Sequence, residues 1–433
     1  IQRAVKKRWL PVTVPGAVAA WAELHRRFGR LPFAKLFAPA LEYAREGFPV
    51  SPTIRKLWKA AEGTFAPYKE DPAFAGLFAT FFPEGRAPEV GETVTLPDHA
   101  RTLEILAQTE GEAFYRGELA DRIDRFSRET GGCLRKEDLA AYRAEWVNPL
   151  HVDYRGYDVW EIPPNGHGIT ALMALNIMQG FQLDRRETVD SWHKQIEAMK
   201  LAFSDAQHYV ADPRFMHTRV EDMLSPAYAD QRRSLIGEQA LTPHWGKPFS
   251  GGTVYLCAAD GEGNMISFIQ SNFRGFGSGI VIPGTGIALN DRGNNFSLDP
   301  AMDNCLAPGK KPYHTIIPGF LTKDGKAVGP FGVMGGFMQP QGHLQVLLNT
   351  LDFHMNPQAA LDAPRWQWIE GKKVEIEVQA GAEIIEGLRQ RGHEIVVKED
   401  RTSFGRGQII WRRDDGTLVG ATEPRTDGTV AAY

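Results

Sequence analysis

Cysteine is nearly absent. The 433 residues contain three, Cys133, Cys257 and Cys305. The count is odd, no C-x-x-C pair occurs and no histidine clusters with them, which argues against a disulfide framework and against a zinc site. An excess of one charge is also missing. Lys and Arg number 49 against 53 Asp and Glu, a formal net charge of −4. With no basic tail or basic domain, nothing marks a nucleic-acid partner. Long apolar runs are missing too. The longest, such as AVAAWAEL at 17–24, fall far short of a membrane span. The opening IQRAVKKRWLPVTVPG has no apolar h-region and so no signal peptide, which slightly favours the cytoplasm over the periplasm or secretion. It lacks an initiator methionine as well and reads like the middle of a longer protein. There is no internal repeat, and no G-x-S-x-G elbow, P-loop, H-E-x-x-H or dinucleotide fingerprint. GFGSG at 275–279 lacks the lysine of a phosphate loop and reads as a tight turn. No cofactor is expected. No metal is expected either, because His314 and His343 form no ligand set.

What is present is an ordinary globular balance, 42% apolar and 24% charged, long enough for one large or two medium domains. Helical periodicity runs through 16–28, 33–46, 97–109 and 113–129, with Asp98 as the expected cap of the third. The pattern changes at 151–164, which reads as a hairpin turning at Arg155–Gly156. Buried helix is expected at 169–180. A long amphipathic helix is expected at 188–209, carrying His193 and Glu197 four residues apart on one face. That pair reads better as part of a surface helix with an ion pair to Lys200 or Lys194 than as a functional pair. The polar stretch 213–250 ends in TPHWGKPFSGG, the one plausible linker. Beyond it lie a hairpin over 252–271 with strands apolar on both faces, a strand pair at 279–290, and strands at 372–377 and 404–412 around a helix at 380–391. Cys257 reads as a buried small hydrophobe. The coarse division is helical before about 250 and strand-rich after it.

Three local features carry chemistry. Thr253 opens a strand after two glycines. A threonine hydroxyl becomes a useful nucleophile when its own free α-amine serves as base, which requires chain cleavage before it. The bland alternative is a plain loop-to-strand junction. VMGGF at 333–337 places two adjacent glycines after a strand, the form of an oxyanion hole, or of a simple turn. PYHTIIP at 312–318 buries a histidine and a threonine that need partners. Arg425 and Asp427 in EPRTDG read as a turn-stabilising pair.

The whole chain resembles the gamma-glutamyltranspeptidase family of N-terminal nucleophile hydrolases. The segments that carry the likeness include VPGAVAAW at 14–21, YRGYDVWEIPPNGHG at 154–168, EAMKLAFSDAQHYVADP at 197–213, the run 253–297, KKPYHTIIPGF at 310–320 and FGVMGGFMQPQGH at 331–343. The resemblance implies an α+β fold, a four-layer αββα sandwich. It implies autocatalytic cleavage before Thr253 into a large portion, 1–252, and a small portion, 253–433. These remain associated, and a homodimer is one assembly open to them. Thr253 is implied as the nucleophile, Ser271 as its hydroxyl partner, and Gly335 and Gly336 as the oxyanion pair. The upstream family segment, with an arginine for the substrate carboxylate, has no counterpart in this sequence.

The positions that match the family's substrate clamp are Asn272, Phe273, Arg292, Asn295, His314 and Thr315. Relatives that use glutathione have an asparagine where Phe273 stands, a glutamine at Arg292, an aspartate at Asn295 and two serines at His314–Thr315. Aspartate to asparagine removes the charge a bound ammonium requires, and a new arginine attracts a carboxylate. The expected substrate is therefore a small amide with an acidic acyl group, glutathione or another γ-glutamyl compound among the candidates. Oxamate-like half-amides and glutaryl amides of cephalosporin type fit the altered clamp better. An inactive, uncleaved homologue is the alternative outside catalysis.

Overall fold

The computed structural model describes residues 7–243 and 253–433. The chain forms two compact units. The first is Ile1–Trp146 with Asn272–Asn294, and the second is Val147–Ser271 with Asn295–Tyr433. Neither unit boundary coincides with the compositional change near 250. The expected linker lies, from 244 onward, outside the described residues, as does the Gly252 side of the expected cleavage point.

The first unit is helical: α1 (Ala17–Phe28), α2 (Ala38–Glu46), α3 (Pro52–Phe65), α4 (Ala75–Phe81), α5 (Pro97–Gln108), α6 (Glu112–Arg116), α7 (Glu118–Glu129) and α8 (Lys136–Ala141), with a short antiparallel pair β1 (Phe48–Pro49) and β2 (Thr93–Val94). Helical spacing explains its core. Leu119, Ile123 and Phe126 fall on one face of α7 and are buried together with Phe65, Phe74, Leu77 and Ile280–Ile282. Two expected helices are divided. The 33–46 helix becomes a 3-10 turn, Phe33–Phe37, followed by α2, because Pro39 lacks an N–H and starts a helix rather than continuing one. The 113–129 helix breaks at Gly117, which is extended at φ −130°. Asp98 is not a cap: Leu96 holds the cap position, Pro97 begins the helix, and Asp98 lies in the first turn. There it complements the positive helix end through its charge. The strand pair at 279–290 reduces to a single bridge, Val281 to Ala288.

The second unit contains β3 (Leu150–Tyr154), β4 (Tyr157–Glu161), α9 (Gly168–Met178), α10 (Val189–Tyr209), α11 (Val220–Met223), α12 (Pro226–Arg233), β5 (Val254–Ala259), β6 (Met265–Gln270), β7 (Gly319–Lys323), β8 (Lys326–Met334), α13 (Met338–Leu351), α14 (Pro357–Asp362), β9 (Trp366–Glu370), β10 (Lys373–Glu377), α15 (Ala382–Gln390), β11 (Glu394–Lys398), β12 (Arg406–Arg412) and β13 (Leu418–Thr422). Six strands form an antiparallel sheet in the order β13-β12-β8-β7-β4-β3. A smaller sheet has the order β11-β10-β9, and β5 pairs with β6 as a hairpin. Alternation along β8 sets the layers. A Cβ on Gly332 would lie 2.6 Å from the Tyr255 ring on β5, whereas a Cβ on Gly342 of α13 would lie 2.5 Å from the Val333 side chain. Successive residues of β8 thus face the hairpin on one side and α13 on the other.

The β5–β6 hairpin is not buried on both faces. Val254 is 62% and Leu256 46% exposed, while Tyr255 between them is buried, and Cys257 is only partly covered. Apolar residues on both faces therefore did not report burial on both faces.

Helix α10 departs further from expectation, because it is not a surface helix. His193, Glu197 and Lys200 are fully buried. Lys200 Nζ donates to Glu197 Oε1 at 2.7 Å, as the spacing predicts, and also to the Leu241 carbonyl at 3.2 Å. His193 and His393 meet ring to ring, Nδ1 to Nε2, at 2.8 Å. Burial above all, with the nearby cations, holds His193 down to about 4 and His393 down to about 2, so both are neutral at pH 7. A polar helix face can enter a core when every group on it finds a partner inside.

Arg425 differs in the same way. It is buried, bonding Glu377 and Glu423 at 2.6 Å each. Arg365 joins Glu423 at 2.8 Å. The arginine thus ties β10 to the residue after β13 and is not a turn-stabilising partner of Asp427.

Candidate active site

The β5–β6 register places Thr253 and Ser271 together. Val254 pairs with Gln270, so the next residue outward on each strand comes opposite the other. Thr253 is 6% exposed and its Oγ1 donates to Ser271 Oγ at 3.1 Å. This bond selects one rotamer of a side chain whose neighbour Val254 points to solvent. A serine hydroxyl is no base at neutral pH, so this bond fixes the Thr253 side chain without deprotonating it. Ser271→Ala removes one hydrogen bond worth about 1 kcal/mol. Turnover is expected to fall by roughly fivefold to tenfold with little change in KM, measured as initial rates on a chromogenic amide.

Gly335 and Gly336 form the turn from β8 into α13. Their φ values are 141° and 61°, a pair that L side chains rarely adopt. A Cβ on Gly335 would also lie 3.2 Å from Gly405 Cα. Their carbonyls accept from the Met338 and Gln339 amides at 3.1 Å, so the turn is continuous with the first turn of a 14-residue helix. The helix N-terminus adds positive potential at this turn. Tyr255, two residues beyond Thr253, rests on Gly332, three before Gly335. The strand that follows Thr253 and the strand that precedes the glycine pair therefore abut.

A buried acid–imidazole pair supports β8 from behind. His343 Nε2 accepts the Val333 amide at 3.0 Å, and Nδ1 meets Glu161 Oε1 at 2.6 Å. Burial raises the Glu161 carboxyl above its usual range, with His343 opposing the shift.

Of the clamp candidates, Asn295, His314 and Thr315 belong to the same unit as Thr253, and Asn272, Phe273 and Arg292 to the other. The Asn295 carbonyl accepts from Asn304 at 2.6 Å. Its side-chain Nδ2 is buried with no acceptor among the described residues. His314 and Thr315 lie on a strip bonded to the 165–168 loop. His314 N donates to the Asn165 carbonyl at 2.8 Å, and His167 N donates to the His314 carbonyl at 3.0 Å. His167 Nε2 meets the Thr315 carbonyl at 2.9 Å. Gln339 Oε1 accepts the Ile317 amide at 3.2 Å, which joins this strip to the first turn of α13. In the other unit Phe273 is fully buried at φ 77°, and the Arg292 guanidinium stacks on its ring at 5.0 Å. Burial lowers Arg292 to about 9, partly offset by Asp291.

Sequence reasoning passed over Asn165, His167, Gln339, Tyr255 and Glu161. The NGHG loop contained one available signal, a histidine between glycines at the start of a mostly apolar helix.

The gamma-glutamyltranspeptidase family model matches residues 2–433. The chain is 35% identical to the glutathione hydrolase-like YwrD proenzyme of Bacillus subtilis, over 96% of this chain and 80% of that one. It is 34% identical to the acylase ACY 1 proenzyme of a Pseudomonas species, over 97% and 75%. Among solved structures, cephalosporin acylase from Bacillus halodurans superposes with a TM-score of 0.96 at 59% identity, covering 99% of this chain and 79% of that one.

Proposed function

We propose, from the premise that this chain belongs to the gamma-glutamyltranspeptidase family of amidohydrolases, that it is a threonine amidohydrolase acting on amides of acidic acyl groups without a free α-ammonium, glutaryl amides foremost. The observation that carries the reading is the 3.1 Å bond from Thr253 Oγ1 to Ser271 Oγ on the hairpin packed against β8, the strand that leads into the Gly335–Gly336 turn. Cleavage before Thr253 frees its α-amine. The amine takes the hydroxyl proton as Oγ1 attacks the amide carbonyl. The N–H groups of Gly335 and Gly336 bind the oxyanion. The proton passes to the leaving amine, and water then attacks the acyl ester and releases the acid, restoring the hydroxyl. The helix–sheet–hairpin stacking of the second unit supports a four-layer sandwich as the complete architecture.

The substrate assignment rests on Asn295. Its buried Nδ2 donor fits an acceptor such as a carboxylate and offers no charge to an ammonium. The name of the 59% identical structure, cephalosporin acylase, agrees with a glutaryl-type acyl group. Two measurements test the reading. On a denaturing gel the protein should give two bands, the smaller beginning at Thr253 by N-terminal sequencing. Acid release from a glutaryl amide should exceed p-nitroaniline release from a γ-glutamyl anilide, and the reverse order would sink the assignment. Asn295→Asp restores a carboxylate and should shift the preference toward the γ-glutamyl anilide by about 10- to 100-fold, the scale of one charged hydrogen bond.

A further inference from the structure

The histidine–glutamate pair of α10 has no role in the hydrolytic reading. Going beyond that reading, we propose that His193, Glu197 and His393 form a binding site for one divalent transition ion, with zinc the best match. Among the described residues this is the one group of three or more such side chains whose ligand atoms all lie within 4.8 Å of one another, and all three are buried. His193 and Glu197 come from successive turns of α10. His393 arrives from the residue before β11. The His193 and His393 ring nitrogens are 2.8 Å apart, and His393 Nε2 lies 3.7 Å from Glu197 Oε1. Ligand atoms around a tetrahedral zinc with bonds of 2.0–2.1 Å are separated by about 3.3 Å, between these two distances. Two imidazoles and one carboxylate are a donor set that suits zinc.

The outer contacts have the form such a site needs. His193 Nε2 is held by the Gly237 carbonyl at 2.9 Å, and Glu197 Oε2 by the Leu241 amide at 3.0 Å. Two of the three ligands, His193 and Glu197, are thereby aimed from behind by backbone. Lys200 is the competitor. Its ammonium sits 2.7 Å from Glu197 Oε1 and 3.4 Å from His393 Nδ1, supplying the positive charge the carboxylate requires. Lys372 and Arg391 add to this field, and Asp190 and Glu394 oppose it. An ion must take the place of the ammonium against Glu197. Removing the ammonium should therefore tighten binding, a direction that a purely structural cluster does not predict.

The test uses the full chain without an affinity tag, stripped with chelator and titrated with Zn²⁺ by calorimetry. The wild type should bind one equivalent. Lys200→Met should bind at least about tenfold tighter, because a buried like charge is gone. In that background His393→Gln should weaken binding by more than about tenfold, the scale lost when even an outer partner is removed. Circular dichroism without metal establishes that each variant is folded. Glu197→Gln, nearly isosteric, makes the same test if His393→Gln does not fold. Absence of one equivalent in the wild type, weaker binding by Lys200→Met, or unchanged affinity in both ligand variants would overturn the proposal.

Discussion

Thr253→Ala should leave the protein as a single uncleaved chain and lower amide turnover by at least about 10⁴-fold, the range seen when a catalytic nucleophile is removed. The same side chain serves twice in the proposed mechanism. It attacks the preceding peptide bond during maturation and the substrate amide afterwards, so one substitution removes both. The strand itself should not suffer, because Tyr255, not Thr253, anchors β5 against Gly332. A denaturing gel and a turnover assay on the same preparation check the two losses together. Two bands from Thr253→Ala would refute self-cleavage by this hydroxyl. One band from the wild type, with no turnover, would favour the non-catalytic alternative.

Gly335→Ala should lower kcat by on the order of 10² to 10³ while leaving KM nearly unchanged, as expected when an oxyanion donor is displaced. Two independent facts produce the effect. The φ of 141° is costly for any residue with a Cβ, on the order of 1–3 kcal/mol. The added carbon would also lie 3.2 Å from the Gly405 backbone, which has no side chain to move aside. Relief of either strain rotates the peptide whose N–H must face the substrate. Single-turnover kinetics separates this from a binding defect, and a thermal melt separates it from unfolding. A variant with wild-type kcat would remove Gly335 from the mechanism.

Much of this was legible along the chain because it depends on local spacing. Helices α1, α9 and α10 and the hairpins β3–β4 and β5–β6 appear where periodicity and turn residues place them. The pairing of Thr253 with Ser271 was implied by the family resemblance, and the β5–β6 register accounts for it. Pro39 and Gly117 could have been read as breaks, since each acts through its own backbone. Burial was another matter. The hairpin apolar on both faces covers only one of them, and the helix with a charged face lies inside, because coverage depends on which distant element arrives.

The sequence alone was enough to identify the family and the candidate nucleophile, since whole-chain likeness needs no coordinates. Tertiary structure decided what could not be read in one dimension. It brought Tyr255 onto Gly332 and so set the strand that follows Thr253 beside the strand that precedes Gly335. It placed His393 against His193, 200 residues apart in the chain, and turned a pair with an ordinary helical ion bridge into a buried cluster of three side chains. The physical reason is the range of the interactions. Propensity and register act over a few residues, whereas hydrogen bonds and packing in a core join whatever the topology delivers to the same few ångströms.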